Sequence, residues 1–272
     1  MPNGFAADYE SIRRVELAEA EFQAGFVPTC ERLGSSFPHT GATLLRTAAV
    51  DKGQDDLWSR VYAPGFDGEI TASELDEAEA WFANLGKPAK VDLSPICDRS
   101  LHELCFERGY RIAHSDSVFL AQPEPREPVD GVSVRIADEP VVWAEVAGTA
   151  FCAGGPPEDL HAGMNEKLSI LAQQPGVTPV TAYIGGQPAG GALLVVMGGV
   201  ALLHAGATVP EYRRRGVQAA LIRGRVAMAK DAGCEIVCAQ TDPRNLASAR
   251  NVLRAGFELA IVRPSVVAPG DS

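Results

Sequence analysis

The sequence predicts an α/β (α+β) protein of two domains, and three observations support this. Short apolar strands alternate with amphipathic helices along the chain. A segment with three prolines among charged residues predicts a linker at 123–130. The segments 104–110 and 252–257 share a helix end, a glycine and an aromatic residue ahead of a strand. We therefore predict a tandem duplication, with domains at 1–122 and 131–272.

In the first domain, apolar residues at helical spacing predict a helix over 8–33 that stops at Gly34. Thr71 or Ser73 is expected to cap a helix that runs to Leu85, because acidic residues fill its first turn. Gly109 is expected to end another helix. The remaining predicted elements are strands at 41–50, 57–63 and 89–93, a helix at 98–108 and a strand that ends at 120.

In the second domain, the glycines of segment 185–188 predict a hairpin turn between two strands. The predicted strands are 132–136, 178–184, 189–197, 200–208, 235–240 and a last one that reaches Val267, and the predicted helices are 140–151, 159–172, 217–232 and 247–255. On the helix 217–232, apolar residues share one side, and Arg223, Arg225 and Lys230 are expected on a mostly solvated surface.

Composition narrows the possible functions. The chain of 272 residues is 46% hydrophobic with a formal net charge of −11, which is typical of a globular protein and argues against a nucleic-acid partner. The N-terminus lacks the pattern of a signal peptide and no 18-residue apolar run occurs, so we expect a cytoplasmic protein without a membrane segment. The six cysteines show no metal-binding spacing, and we predict reduced, buried thiols and no metal.

A basic turn at 209–216 is the most informative stretch. Arg213, Arg214 and Arg215 precede Gly216, an apolar strand enters the turn and an amphipathic helix leaves it. The first N–H groups of a helix lack intrahelical partners and carry the positive end of its dipole, and glycine lets a phosphate approach the backbone. The turn therefore predicts a pyrophosphate site.

This turn resembles the signature of the GNAT superfamily of acyl-CoA-dependent N-acyltransferases, Arg/Gln-x-x-Gly-x-Gly/Ala. Arg213 and Gly216 match it, whereas Gln218 replaces the small third residue and must turn its side chain away from the phosphates. The resemblance implies GNAT-like domains, each with a mixed, mostly antiparallel sheet flanked by helices. It also implies that acetyl-CoA is the co-substrate and that the pantetheine arm pairs with the backbone around Ala207, Thr208 and Val209, one N–H of which faces the thioester oxygen. The residues implied at the pyrophosphate are Arg213, Arg214, Arg215, Gly216, Val217, Gln218 and Ala219.

The corresponding turn of the first domain, at 63–70, carries Asp67 and Glu69 in place of arginines. Carboxylates there would repel a pyrophosphate. We therefore expect the first domain to be a degenerate copy without a cofactor site.

His204 lies on the strand whose counterpart in the family lines the reaction site. Alternation places His204 on one face with Leu202, Gly206 and Thr208. A histidine there could deprotonate the amine, directly or through water. A buried histidine that is hydrogen-bonded to its neighbours is the equal alternative.

The segment that starts at Asn245 resembles the family's second signature. The Asn245 side chain would hold an amide of the coenzyme or cap the helix, and the two readings stay open. Many family members place a tyrosine four residues before the glycine, where it protonates the leaving thiolate, but this chain has Val252. Ser248, Asn251 or water could serve instead, or the thiolate could leave without a proton.

The resemblance predicts a GNAT-type acyl-CoA N-acyltransferase that moves the acetyl group to a primary amine by direct attack in a ternary complex. The acceptor would be a small-molecule or peptide amine, and the loop 153–157 is expected to border its pocket. A non-catalytic acyl-CoA-binding sensor or interaction module is the alternative. The acceptor's identity and the oligomeric state, a homodimer included, stay open.

Overall fold

The computed structural model describes residues 7–53, 58–153 and 158–270. Its helices are α1 (Tyr9–Ala24), α2 (Phe26–Leu33), α3 (Ala72–Asn84), α4 (Arg99–Glu107), α5 (Pro140–Cys152), α6 (Glu158–Ala172), α7 (Val217–Asp231) and α8 (Leu246–Arg254). Its strands are β1 (Thr40–Leu44), β2 (Thr47–Asp51), β3 (Arg60–Val61), β4 (Lys90–Asp92), β5 (Arg111–Ala121), β6 (Ser133–Ile136), β7 (Val177–Ile184), β8 (Gln187–Met197), β9 (Val200–Thr208), β10 (Ile236–Thr241) and β11 (Glu258–Val267).

The predicted fold class, a mixed and mostly antiparallel sheet flanked by helices, is confirmed. In the described residues, the strands of both halves join into one sheet of order β1-β2-β3-β4-β11-β5-β10-β9-β8-β7-β6. Its parallel pairs are β3 with β4 and β9 with β10. The last strand, β11, lies between β4 and β5 of the first half, so the two halves interleave.

Two elements differ from their predicted form. The helix predicted over 8–33 is divided at Gly25, where a side chain would not fit because a Cβ would lie only 2.5 Å from Oε1 of Gln174. The strand predicted over 41–50 is the hairpin of β1 and β2. Leu45 and Arg46 form its turn with φ angles of 50° and 63°, as a tight hairpin requires of both central residues.

The helices cover both faces of the sheet near β9 and β10. Leu202 and Cys238 pack in a core that includes residues of α1 and α5. Leu203 and Ala239, one position along each strand, pack against α7 and α8. Helix α1 of the first half therefore lies over strands of the second half.

A buried ion network connects the interleaved elements. Arg263 of β11 lies 3.0 Å from Glu16 of α1, 3.2 Å from Asp116 of β5 and 3.6 Å from Asp92 of β4. Arg60 of β3 lies 3.2 Å from the same Asp92. The Arg263 side chain is 1% exposed and that of Glu16 is fully buried, so each charge depends on its partners.

Arg263→Met removes one cation and leaves three buried carboxylates with an incomplete set of partners. We expect the free energy of unfolding at neutral pH to fall by about 3–5 kcal/mol, measured by urea denaturation. The matched control is Arg14→Met, which breaks the more exposed pair with Glu235 and should cost less than about 1 kcal/mol. Equal losses in the two variants would show that the network does not hold the halves together.

Candidate active site

A gap opens in the sheet between β9 and β10. Their parallel pairing runs from Val200 with Ile236 to Leu203 with Ala239. Both strands continue beyond this point, β9 to Thr208 and β10 to Thr241, without pairing to each other. The backbone of β9 therefore has a free edge on its β10 side after Leu203.

A bulge shapes β9 at the start of the gap. Its register with β8 shifts between Gly191 and Leu193, which places one extra residue on β9. Ala205 takes up the irregularity with a φ of 47°, a conformation that costs an L-residue about 1–2 kcal/mol. A Cβ at Gly206 would lie 3.0 Å from Nε2 of Gln218 on α7, so Gly206 faces α7. The predicted alternation, which put Gly206 and His204 on one face, is therefore wrong, because the bulge reverses it.

His204 contacts α1 at the bulge. Its Nε2 lies 2.7 Å from Oε2 of Glu19, and its ring centroid lies 4.8 Å from that of Phe22. Burial alone would raise the pKa of Glu19, but the charge and hydrogen bond of His204, assisted by Arg263 and Gln23, lower it to about 2. When the imidazole is neutral and Nε2–H donates to this carboxylate, its Nδ1 keeps a free lone pair.

A cavity of about 270 Å³ passes through the gap between the strands. On the α1 side it is polar and aromatic, with Glu19, Phe22, Gln23, Lys52, Trp58, Arg60, Asp116 and His204. On the other side it is lined by Gln218, Ile222, Arg225, Asn245, Ser248 and Val252 of α7 and the start of α8. Two molecules that approach from opposite faces of the sheet could meet at His204.

The basic turn lies next to this cavity, since Gln218, which lines the cavity, is only two residues beyond Gly216. Arg213, Arg214 and Arg215 are exposed, and no carboxylate among the described residues lies within ion-pair distance of them. Gly216 has a φ of 82° and no side chain caps α7 there, so the first N–H groups of the helix are open. Arg214 has a φ of 62°, and left-handed residues at such a turn direct successive N–H groups into a concave anion site.

The backbone N–H groups at the end of β9 point in two directions, one toward β8 and the other toward the free edge. The N–H of Val209 donates to the Ala189 carbonyl at 3.0 Å, so Val209 offers no free donor. Thr208 pairs with Gly190 as the next residue of the ladder. Since neighbouring residues of a strand direct their N–H groups to opposite sides, that of Thr208 points to the free edge.

The residues of α8 are divided between the cavity and its outside. Asn245 caps the helix by accepting from the Ser248 N–H at 3.1 Å, and both residues line the cavity. Val252, at the position of the family's tyrosine, is buried and also lines it. Asn251 is half-buried and is not among the lining residues.

Arg225 corrects another prediction. The helical pattern placed it on a solvated surface, but the residue is 1% exposed and lines the cavity. Its Nη1 donates to the carbonyl oxygens of Leu193 and His204, at 2.9 and 3.1 Å. The β8–β9 bulge leaves these carbonyls for a side chain to satisfy, and Arg225 does so.

The corresponding turn of the first half contains an internal carboxylate. The side chain of Glu74 accepts from the Thr71 N–H at the start of α3, in a capping box. Arg46 pairs with the same Glu74 at 2.7 Å and donates to the carbonyl oxygens of Asp67 and Glu69. This turn therefore holds a carboxylate of the chain itself, paired with Arg46.

Glu19, Lys52, Arg60 and Asp116 come from the first half and were not expected in the site. A signal for Glu19 existed, because Glu16 and Glu19 share the buried side of α1 with Ile12 and Val15. The predicted acceptor loop is only partly testable, since 154–157 lie outside the described residues. The described residues include no cluster of metal-ligating side chains and no helix that could cross a membrane.

Comparison with known proteins shows a similarity to one family over the C-terminal part of the chain. The model of the acetyltransferase (GNAT) family matches residues 143–257, which include α7, β9, β10 and α8. No curated protein sequence matches the chain.

Solved structures share the fold over nearly the whole chain. A GCN5-related N-acetyltransferase from Kribbella flavida is 18% identical with a TM-score of 0.64, and the match covers 99% of this chain and 97% of that one. A tandem GNAT protein from the clavulanic acid biosynthesis pathway is 12% identical with a TM-score of 0.56 and 98% coverage of both chains. A GCN5-related N-acetyltransferase from Sphaerobacter thermophilus is 14% identical with a TM-score of 0.53 and 95% coverage of both.

The fold is therefore that of GNAT N-acetyltransferases, and its C-terminal part forms the gap and the basic turn. The segment 143–257 matches the model of the acetyltransferase (GNAT) family, in agreement with the resemblance noted at Arg213 and Gly216.

Proposed function

We propose that the protein is an N-acetyltransferase that transfers the acetyl group of acetyl-CoA to a primary amine, with direct attack in a ternary complex. The observation that carries the proposal is the His204–Glu19 pair, held in a cavity that is lined from both faces of the sheet beside a basic helix N-terminus. The acceptor would enter from the α1 side, and the coenzyme from the side of α7 and α8.

In this proposal the coenzyme uses backbone groups that the protein leaves open. The pyrophosphate binds the first N–H groups of α7 and the arginines of the turn. The pantetheine arm pairs with the free edge of β9, with Thr208 as its first partner. The thioester then lies in the gap between β9 and β10, where a backbone N–H of β9 stabilises the developing charge on its oxygen by on the order of 3 kcal/mol.

His204 supplies the base. Its Nε2–H is directed to the ionised Glu19, which fixes the tautomer and leaves Nδ1 to accept a proton from the ammonium of the acceptor. The nitrogen lone pair attacks the acyl carbon, the C–N bond forms, and the C–S bond breaks with its electron pair on sulfur. The nitrogen then loses its second proton to solvent water and becomes the amide nitrogen. Glu19 stays a carboxylate throughout, because its pKa is about 2.

A CoA-binding module without catalysis is the second candidate, because Val252 offers no proton to the thiolate. An alkyl thiol has a pKa of about 8.5, so a thiolate can leave without that proton. Release of free thiol in the presence of an amine decides between the two.

His204→Gln tests the base. We expect kcat to fall by about 10²–10⁴-fold, because general base catalysis is worth that much, with little change in the KM for acetyl-CoA or in thermal stability. The matched control is His114→Gln, since His114 also pairs with a carboxylate, Asp116 at 3.0 Å, but does not line the cavity. A kcat in His204→Gln equal to that of the wild type would show that His204 is not the base and has only a structural role.

Charge reversal at Arg214 or Arg215 tests the phosphate site. We expect coenzyme A to bind at least about tenfold more weakly, which corresponds to about 1.4 kcal/mol, because an anion is brought near the pyrophosphate. The control is Arg223→Glu, further along α7, where the guanidinium donates to the Glu127 carbonyl. Calorimetric titrations that lose the same affinity in all three variants would contradict the assignment.

A further inference from the structure

Arg225 is a buried cation without an anionic partner among the described residues. Its Nε donates to the Leu221 carbonyl, and both N–H groups of Nη1 are used by the carbonyls of Leu193 and His204. Burial lowers its pKa to about 9, which leaves it charged at neutral pH. An uncompensated buried charge costs several kcal/mol, so its presence in a cavity indicates an anion that arrives with a ligand.

The free part of the guanidinium lies beside Gly206 of β9, which also lines the cavity. Nη2 makes no hydrogen bond within the described residues, and a Cβ built at Gly206 would lie 3.4 Å from it. The same position is 3.0 Å from Nε2 of Gln218. Two donors therefore meet beside the bulge of β9, immediately after His204, on the face of the sheet that the coenzyme would occupy.

The geometry favours an anion of one atom. A carboxylate is held best by two parallel N–H groups on neighbouring nitrogens of a guanidinium. Here the N–H groups of Nε and Nη1 are committed to carbonyl oxygens, and Nη2 alone remains. A thiolate carries its charge on one atom, the sulfur, so the N–H groups of a single guanidinium nitrogen can contact it.

The other titratable groups of the cavity are not placed to contact a thiolate on the coenzyme side. They lie on the α1 side of the sheet or belong to the histidine base, and they are Glu19 (α1), Lys52, Arg60 (β3), Asp116 (β5), His204 (β9) and Cys238 (β10). From α7 and α8, Arg225 is the charged group among the described lining residues. Val252 lies where many family members have a tyrosine, and its side chain cannot donate a proton.

We propose that Nη2 of Arg225, with the side-chain amide of Gln218 beside it, stabilises the thiolate of coenzyme A as it leaves. This inference rests on the proposed function. One proton of the ammonium goes to His204 and the second goes to solvent water, the electron pair of the C–S bond goes to sulfur, and Arg225 stays protonated. The sulfur leaves as a thiolate and takes a proton from water after release. Gln218, the departure from the family pattern, thus serves the same charge.

The test is the ionisation of the thiol in bound coenzyme A, followed by the ultraviolet absorbance of the thiolate as the pH is raised. In the wild-type protein the bound thiol should ionise at least about one pH unit lower than in Arg225→Met, a tenfold change in the equilibrium. Arg225→Lys, which keeps the charge, should lie between them. Binding of S-methyl coenzyme A, which has no thiol, should differ by less than about threefold between wild type and Arg225→Met.

Coincident titration curves for the wild type and Arg225→Met would overturn the proposal. An equal loss of affinity for coenzyme A and its S-methyl form would also overturn it, because Arg225 would then only support the bulge. If Arg225→Met does not fold, the same thiol titration is made with Gln218→Leu, which keeps the guanidinium, and is compared with the wild-type protein. Failure of the wild-type protein to bind coenzyme A would instead refute the proposed function, and it would be seen before any variant is made.

Discussion

The network around Arg263 is the constraint on which the rest of the structure depends. One guanidinium from the last strand meets carboxylates of α1, β4 and β5. Arg263, Glu16 and Asp92 are buried from solvent, so their charges depend on β11 lying between β4 and β5. The position of α1, and with it Glu19, follows from the same contacts.

The network also reaches the candidate site. Nη2 of Arg263 donates to Oε1 of Gln240 at 2.8 Å, and Nε2 of Gln240 donates to Glu19 at 3.3 Å. Glu19 in turn lies 2.7 Å from His204. The first half, predicted as a degenerate copy, therefore supplies the carboxylate that orients the histidine of the second half. This explains how a half whose own turn is filled by Glu74 and Arg46 can still be required for the chemistry we propose.

Local patterns predicted the order of the helices and strands, because periodicity, caps and glycine stops act over a few residues. Thr71, one of the two caps predicted for α3, caps that helix. Contacts between distant segments were not predictable in this way. Glu19 and His204 are 185 positions apart, and no local feature pairs them. The bulge at Ala205 depends on the register with β8, so alternation alone placed Gly206 on the wrong face. Arg225 lies one helical turn after Leu221, on the apolar side of α7. Its charge is tolerated there because it donates to the carbonyl oxygens of Leu193 and His204, which the bulge leaves without a strand partner.

The central claim is that the gap between β9 and β10 receives an acyl-CoA. Calorimetric titration of the protein with acetyl-CoA, followed by thiol release with a panel of amines, tests it most directly. The account predicts micromolar binding and amine-dependent thiol release. Absence of binding to acetyl-CoA and to coenzyme A would contradict it, and the basic turn would then be an ordinary surface loop.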